Sequence, residues 1–146
     1  MNVVIEEFSL NHDYEQYLFL LKQLTTLNPD NINKQQFIDQ MNIILSNPNH
    51  KIIIAKYGNK IVGSLTILIE PKIIHDLSKV AHIEDVIVDQ NCRSYGIGSS
   101  LIKKAIEISK ENGCYKIILD CSEKNIGFYQ KYGFIKKELQ MAYYFD

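Results

Sequence analysis

Between residues 80 and 119 the chain passes from one apolar segment to another through a glycine turn and an amphipathic stretch, and that order leaves little topological freedom. Val80 to Asp89 reads as a strand. After the turn Arg93-Ser94-Tyr95-Gly96-Ile97-Gly98, residues Leu101, Ile102, Ala105, Ile106 and Ser109 recur on one face of a helix. Gly113 stands where a left-handed residue ends such a helix. Cys114 to Leu119 is then apolar with almost no alternation, as in a strand covered on both faces. Two strands joined by a helical crossover of this length are expected to lie parallel and adjacent in one sheet.

The preceding segments supply the rest of that sheet. Val3 to Phe8 is a short strand. Tyr14, Tyr17, Leu18, Leu21 and Leu24 then follow helical spacing, as do Phe37, Ile38, Met41, Ile44 and Leu45, with breaks at Pro29-Asp30 and Pro48-Asn49. Lys51 to Tyr57 and Lys60 to Glu70 form a hairpin across Gly58-Asn59. Beyond Leu119, Asn125 to Tyr132 reads as a short helix and Phe134 to Phe145 as a final strand or hairpin. The expected class is mixed α/β, as one domain over residues 1–146, without repeats or linkers.

Several function classes are disfavoured by what the chain lacks. The net charge is −1, and Lys103-Lys104 and Lys136-Lys137 lie in mixed-sign surroundings, so no basic stripe offers itself to nucleic acid. The longest uncharged apolar run, Ile61 to Ile69, is too short to cross a bilayer, and MNVVIEEFSL has no basic n-region. A cytoplasmic protein with no membrane partner is the expectation. Cys92, Cys114 and Cys121 have no metal-ligand spacing and read as reduced thiols, mainly structural and buried, with no metal expected. Cys121, at a strand end, stays open as a nucleophile.

The glycine turn presents free backbone amides at the positive end of a helix, a natural seat for phosphate. Spacing separates the known cradles. A dinucleotide fingerprint requires a third glycine where Leu101 stands, and a P-loop requires lysine after the glycine that Ser99 follows. What remains is R-x-x-G-x-G before an amphipathic helix, which resembles the coenzyme A pyrophosphate loop of the GNAT N-acetyltransferases. The flanking "KIIH" (72–75), "HIED" (82–85), "YKIILDC" (115–121) and "NIGFYQKYGF" (125–134) are similar to the branch of that superfamily whose acceptor is glucosamine 6-phosphate. The likeness is strong from residue 72 to 134 and thin before residue 50.

That resemblance implies a mixed central sheet of about six to seven strands flanked by helices, acetyl-CoA as co-substrate, and a place in amino-sugar biosynthesis. It assigns Val86, Ile87, Val88, Arg93, Ser94, Tyr95, Gly96, Ile97, Gly98, Ser99, Asn125 and Tyr129 to the cofactor. It assigns Thr25, Lys72, Ile73, Ile74, His75, Glu84, Asp85 and Asp120 to the sugar phosphate. Glu84 is implied as a water-mediated base, Asp120 as the carboxylate that orients the amine, and Tyr129 as the acid that protonates the leaving thiolate; these meet the needs of amide formation from a thioester. Glu84 and Asp85, adjacent on a strand, should point to opposite faces. The family also implies a homodimer with exchanged C-terminal strands, in which an arginine from the partner reaches the phosphate; this chain has Tyr144 there. Another amine as acceptor and a non-catalytic acyl-CoA-binding module are the rival readings.

Overall fold

A computed structural model describes residues 1–146. Five strands, β1 (Val4–Glu7), β2 (His50–Tyr57), β3 (Lys60–Pro71), β4 (Lys79–Val88) and β5 (Cys114–Ile118), form one sheet in that order. The first four are antiparallel, and β4 and β5 run parallel. Helices α1 (Tyr14–Leu21) and α2 (Lys34–Leu45) precede the β2–β3 hairpin. A single turn, α3 (Ile74–Leu77), joins β3 to β4; α4 (Ile97–Glu111) makes the crossover to β5; α5 (Ile126–Gln130) follows.

Alternation along β2 divides the interior. Ile53 and Ala55 enter a cluster with Leu65, Ile67, Leu101, Ile102 and Ala105, beneath α4. Ile52 and Ile54 enter a second cluster with Phe8, Tyr17, Leu20, Phe37 and Met41, beneath α1 and α2. Each fully buried aliphatic or aromatic side chain contributes about 1.5–3 kcal/mol, so the hairpin is held from both faces. Helix starts are fixed locally: the Asp13 carboxylate accepts from the Glu15 and Gln16 amides, and Asn33 and Gln36 form a reciprocal capping box. Close approach of α4 to the sheet depends on Gly63, where a Cβ would lie 3.0 Å from Ile97 Cγ2 and 3.1 Å from Leu101 Cδ1.

Three expectations change. The sheet has five strands rather than six or seven, because Phe134 to Phe145 forms no strand. An apolar segment becomes a strand only against a neighbour, and this one finds none in its own chain; Leu139, Met141, Tyr143, Tyr144 and Phe145 are all more than four-fifths exposed. β5 is not covered on both faces either: it is the sheet's edge, with Tyr115, Lys116 and Ile118 exposed while Cys114 and Ile117 lean on the core. Finally, of the cysteines only Cys92 is buried, and Cys121 is exposed.

Candidate active site

The two parallel strands part company early. β5 pairs with β4 only across Lys79 to His82, so Ile83 to Val88 continue with no partner on that side. On the other side, Thr66 pairs with Glu84 and Ser64 with Ile87, which sets Asp85 and Val86 against the single residue Leu65. This is a bulge in β4, and a bulge bends its strand. Asp85 adopts φ 52° to make it, so the simple alternation expected for Glu84 and Asp85 is broken, and both are exposed. Beyond the bulge the Ile87 side chain is buried, and Val86 and Val88 pack against the other core cluster, leaving backbone as what this edge offers.

Immediately downstream lies the glycine turn. Cys92 and Ile97 are buried and anchor its ends, whereas Arg93 to Gly96 are exposed. Ser94 and Gly96 take φ 72° and 75°. No side chain caps the start of α4, so its first amides stay open to an anion. Around Gly96 a Cβ would meet nothing within 4 Å, so the space over the backbone is free; at Gly98 it would press on Phe128 Cζ at 3.2 Å. The two glycines thus differ in purpose: Gly96 bends the turn toward open space, and Gly98 lets α4 pack on Phe128. The open cradle, the uncapped helix and the unpaired β4 edge fit the pyrophosphate and pantetheine of coenzyme A.

Burial first, then the charges of Asp120 and Asp85, hold the Glu84 carboxyl above its ordinary range. Asp120 itself is exposed, follows the end of β5, and neither caps the turn after it nor forms an ion pair. It is therefore not the costly buried carboxylate that an apolar strand suggests. Tyr129, 8% exposed, packs edge-on against Phe128 and Phe134, with centroids at 5.0 and 5.9 Å. Burial, with Cys121 and Asp120 nearby, raises its phenol, which keeps its proton at neutral pH. Asp120 thus lies within electrostatic reach of both Glu84 and Tyr129. Asn125 lies in the turn that opens α5.

The implied phosphate contacts are elsewhere. Lys79, at the start of β4, is opposite Pro71, so the loop holding Lys72 to His75 leaves the sheet five strand residues from Glu84, roughly 17 Å away. Ile73 and Ile74 are 83% and 60% exposed. His75, Asp76 and Leu77 are all left-handed, and the His75 ring rests on Tyr115 at 4.2 Å between centroids. Thr25 is exposed just past α1. Lys72 Nζ lies 3.0 Å from Glu70 Oε1, the same oxygen that takes His82 Nε2 at 3.0 Å. Hydrogen bonds from these two side chains hold the Glu70 carboxyl below its usual range, His82 contributing more than Lys72. Glu70 was not singled out from the sequence; its position two residues before Lys72 was the available signal, whereas its link to His82 depends on strand register.

The acetyltransferase (GNAT) family model matches residues 10–134. A glucosamine 6-phosphate N-acetyltransferase of Candida albicans is 37% identical over 89% of this chain and 88% of its own length. The Arabidopsis thaliana protein of the same name is 32% identical over 97% and 96%. A crystal structure of the glucosamine-6-phosphate N-acetyltransferase from Arabidopsis thaliana superposes with a TM-score of 0.94 over the full length of both chains.

Proposed function

The chain belongs to the acetyltransferase (GNAT) family, and we propose that it transfers the acetyl group of acetyl-CoA to the 2-amino group of glucosamine 6-phosphate by direct attack in a ternary complex. What supports this reading is the Asp120 carboxylate, whose charge acts on both Glu84 and Tyr129, together with the unpaired β4 edge and the uncapped start of α4.

The amides from Arg93 to Ser99 hold the pyrophosphate, and the unpaired β4 backbone at Val86 to Val88 lines the pantetheine and polarises the acyl carbonyl. When bound, acetyl-CoA supplies an activated acetyl thioester. Asp120 orients the acceptor amine. Glu84, with its raised proton affinity, removes the amine proton directly or through one water; a sugar amine flanked by hydroxyls needs only a weak base. Tyr129 Oη gives a proton to the departing thiolate. Exposed Cys121 takes no covalent role in this scheme, and no metal enters it.

The phosphate end is proposed to be built by two copies of the chain. His75 is held against Tyr115 at the far end of β4, away from Glu84 of the same chain, whereas Lys72 Nζ shares Glu70 Oε1 with His82, two residues before Glu84. The free edge of β5 and the exposed apolar side chains from Ile135 to Phe145 are the surfaces through which a second copy would dock. A cytoplasmic homodimer in amino-sugar biosynthesis follows. Tyr144, in place of the arginine found in the family, favours a second reading in which the acceptor is a different amine.

A thiol-release assay with acetyl-CoA and glucosamine 6-phosphate, glucosamine or spermidine separates the two readings. The proposal expects the phosphorylated sugar to be preferred; equal rates with and without phosphate would sink it while leaving the family intact.

A further inference from the structure

Asp89, 3% exposed, is the only acidic or basic residue buried in this molecule, and it stands at the joint where β4 ends and the chain turns toward Gly96. All of its polar atoms are engaged. Its amide donates to the Val62 carbonyl at 2.8 Å, and its carbonyl accepts from the Cys92 amide at 2.8 Å. In the carboxylate, Oδ1 accepts from the Asn91 amide at 2.9 Å and Oδ2 from Lys60 Nζ at 3.0 Å. Between these contacts the Gln90 amide donates to Oε1 of Gln23, just past α1, at 2.9 Å. The Asn91 hydrogen bond, helped by Lys60 and opposed by burial, holds the Asp89 carboxyl below its ordinary range. The joint is thus referenced at once to the β2–β3 hairpin and to the end of α1.

A boundary between fixed and free backbone falls here. The three amides after Asp89 are all bound within the chain, two of them by Asp89 itself. The next four, from Arg93 to Gly96, donate to nothing in the chain, and the start of α4 carries no side-chain cap. Stability alone does not account for a buried charge at this joint, because an apolar side chain in place of a buried ion pair is often neutral or stabilising. What an apolar side chain lacks is an acceptor for the amide two residues on, the bond by which an aspartate shapes a turn. We propose that Asp89 is a positioning residue for coenzyme A: through the amides of Asn91 and Cys92, and its tie to Lys60, it aims the free amides of Arg93 to Gly96 at the pyrophosphate. Amides fixed before the ligand arrives cost nothing to order when it binds. That the anion is this pyrophosphate rests on the proposed function.

Coenzyme A and pantetheine, the same thiol arm without the pyrophosphate and nucleotide, separate positioning from bulk stability, and each is titrated into the full chain by calorimetry. Asp89→Leu is expected to weaken coenzyme A about tenfold or more and to leave pantetheine unchanged. Asp89→Asn keeps an acceptor for the Asn91 amide and loses only the charge facing Lys60, so its coenzyme A affinity should stay within about threefold of the wild type. Should Asp89→Leu melt early, Asp89→Ala removes the same acceptor without added bulk and is expected to show the same split. A loss shared equally by both ligands would make Asp89 merely structural and overturn the proposal. Unchanged coenzyme A affinity in the Leu or Ala variant, or an Asp89→Asn no better than these, would overturn it as well. If the wild type binds coenzyme A no more tightly than pantetheine, the pyrophosphate reading of the glycine turn falls, and this proposal with it.

Discussion

Two turns in this molecule depend on left-handed backbone, and they are built in opposite ways. The turn from Arg93 to Ser99 places a glycine at one left-handed position, and its ends are sunk in the core through Cys92 and Ile97. The turn between β3 and β4 uses His75, Asp76 and Leu77, none of them glycine, and leaves Ile73, Ile74 and Leu77 exposed. Each non-glycine residue held there costs on the order of 1–2 kcal/mol. Within one chain that strain is offset by the Lys72 N–H to Ser78 O and Leu77 N–H to Ile73 O hydrogen bonds and by the contact of His75 with Tyr115, with no buried apolar anchor. The first turn is finished by its own chain and the second is not. That contrast accords with the proposal of an intramolecular cofactor half and an acceptor-phosphate half completed by another copy.

Breaking each half should have separable effects. The largest is expected at the chemistry: Tyr129→Phe should lower kcat by about 100-fold, in the range for loss of a general acid, with the affinity for acetyl-CoA by calorimetry unchanged. Next comes the cofactor turn. Gly96→Val puts a β-branched residue at φ 75° and a side chain into the open cradle, so acetyl-CoA binding should weaken by about tenfold or more while the fold loses about 1–2 kcal/mol. An unchanged acetyl-CoA affinity would count against the cradle. Removing residues 135–146 should leave acetyl-CoA binding intact, yield a monomer by light scattering, and raise KM for glucosamine 6-phosphate roughly tenfold, about one lost charge-assisted contact.

The smallest effect concerns pH. A raised Glu84 proton affinity means that the base is ionised only above the ordinary glutamate range, so kcat/KM should rise through an acid limb displaced upward. The Asp120 charge contributes to that displacement. Asp120→Asn removes it, so the acid limb should move to lower pH even as the maximal rate falls. A limb that stays put would remove Glu84 as the titrating base.

The difference between the halves also explains what could be read from the sequence. Local rules sufficed for the cofactor half: glycine spacing, the helical face from Leu101 to Ser109, and the parallel crossover all depend on near neighbours, and they appear in the structure. So did the β2–β3 hairpin across Gly58. The bulge at Asp85 was hidden, because a residue without glycine's freedom made it and only the pairing with Leu65 reveals it. Cys114 to Leu119 looked like a strand covered on both faces because hydrophobicity records what a residue tolerates, not what finally covers it. The tail after Phe134 read as a strand for the same reason; its apolar side chains are real, but no partner for them lies in this chain. Glu70 escaped attention because its contact with His82 joins positions separated by the α3 loop, although Lys72 stands only two residues away.

Subunit complementation tests the division most directly. Tyr129→Phe and Lys72→Ala each impair the enzyme alone. In a mixed dimer carrying one of each, assayed at low glucosamine 6-phosphate, a site made from both chains leaves one of the two sites with an intact Tyr129 and an intact Lys72. Activity should then return to about half that of the wild type. If the mixed dimer shows only the average of the two impaired homodimers, Lys72 serves the same chain as Tyr129, and the division between an intramolecular cofactor half and a shared acceptor half is wrong.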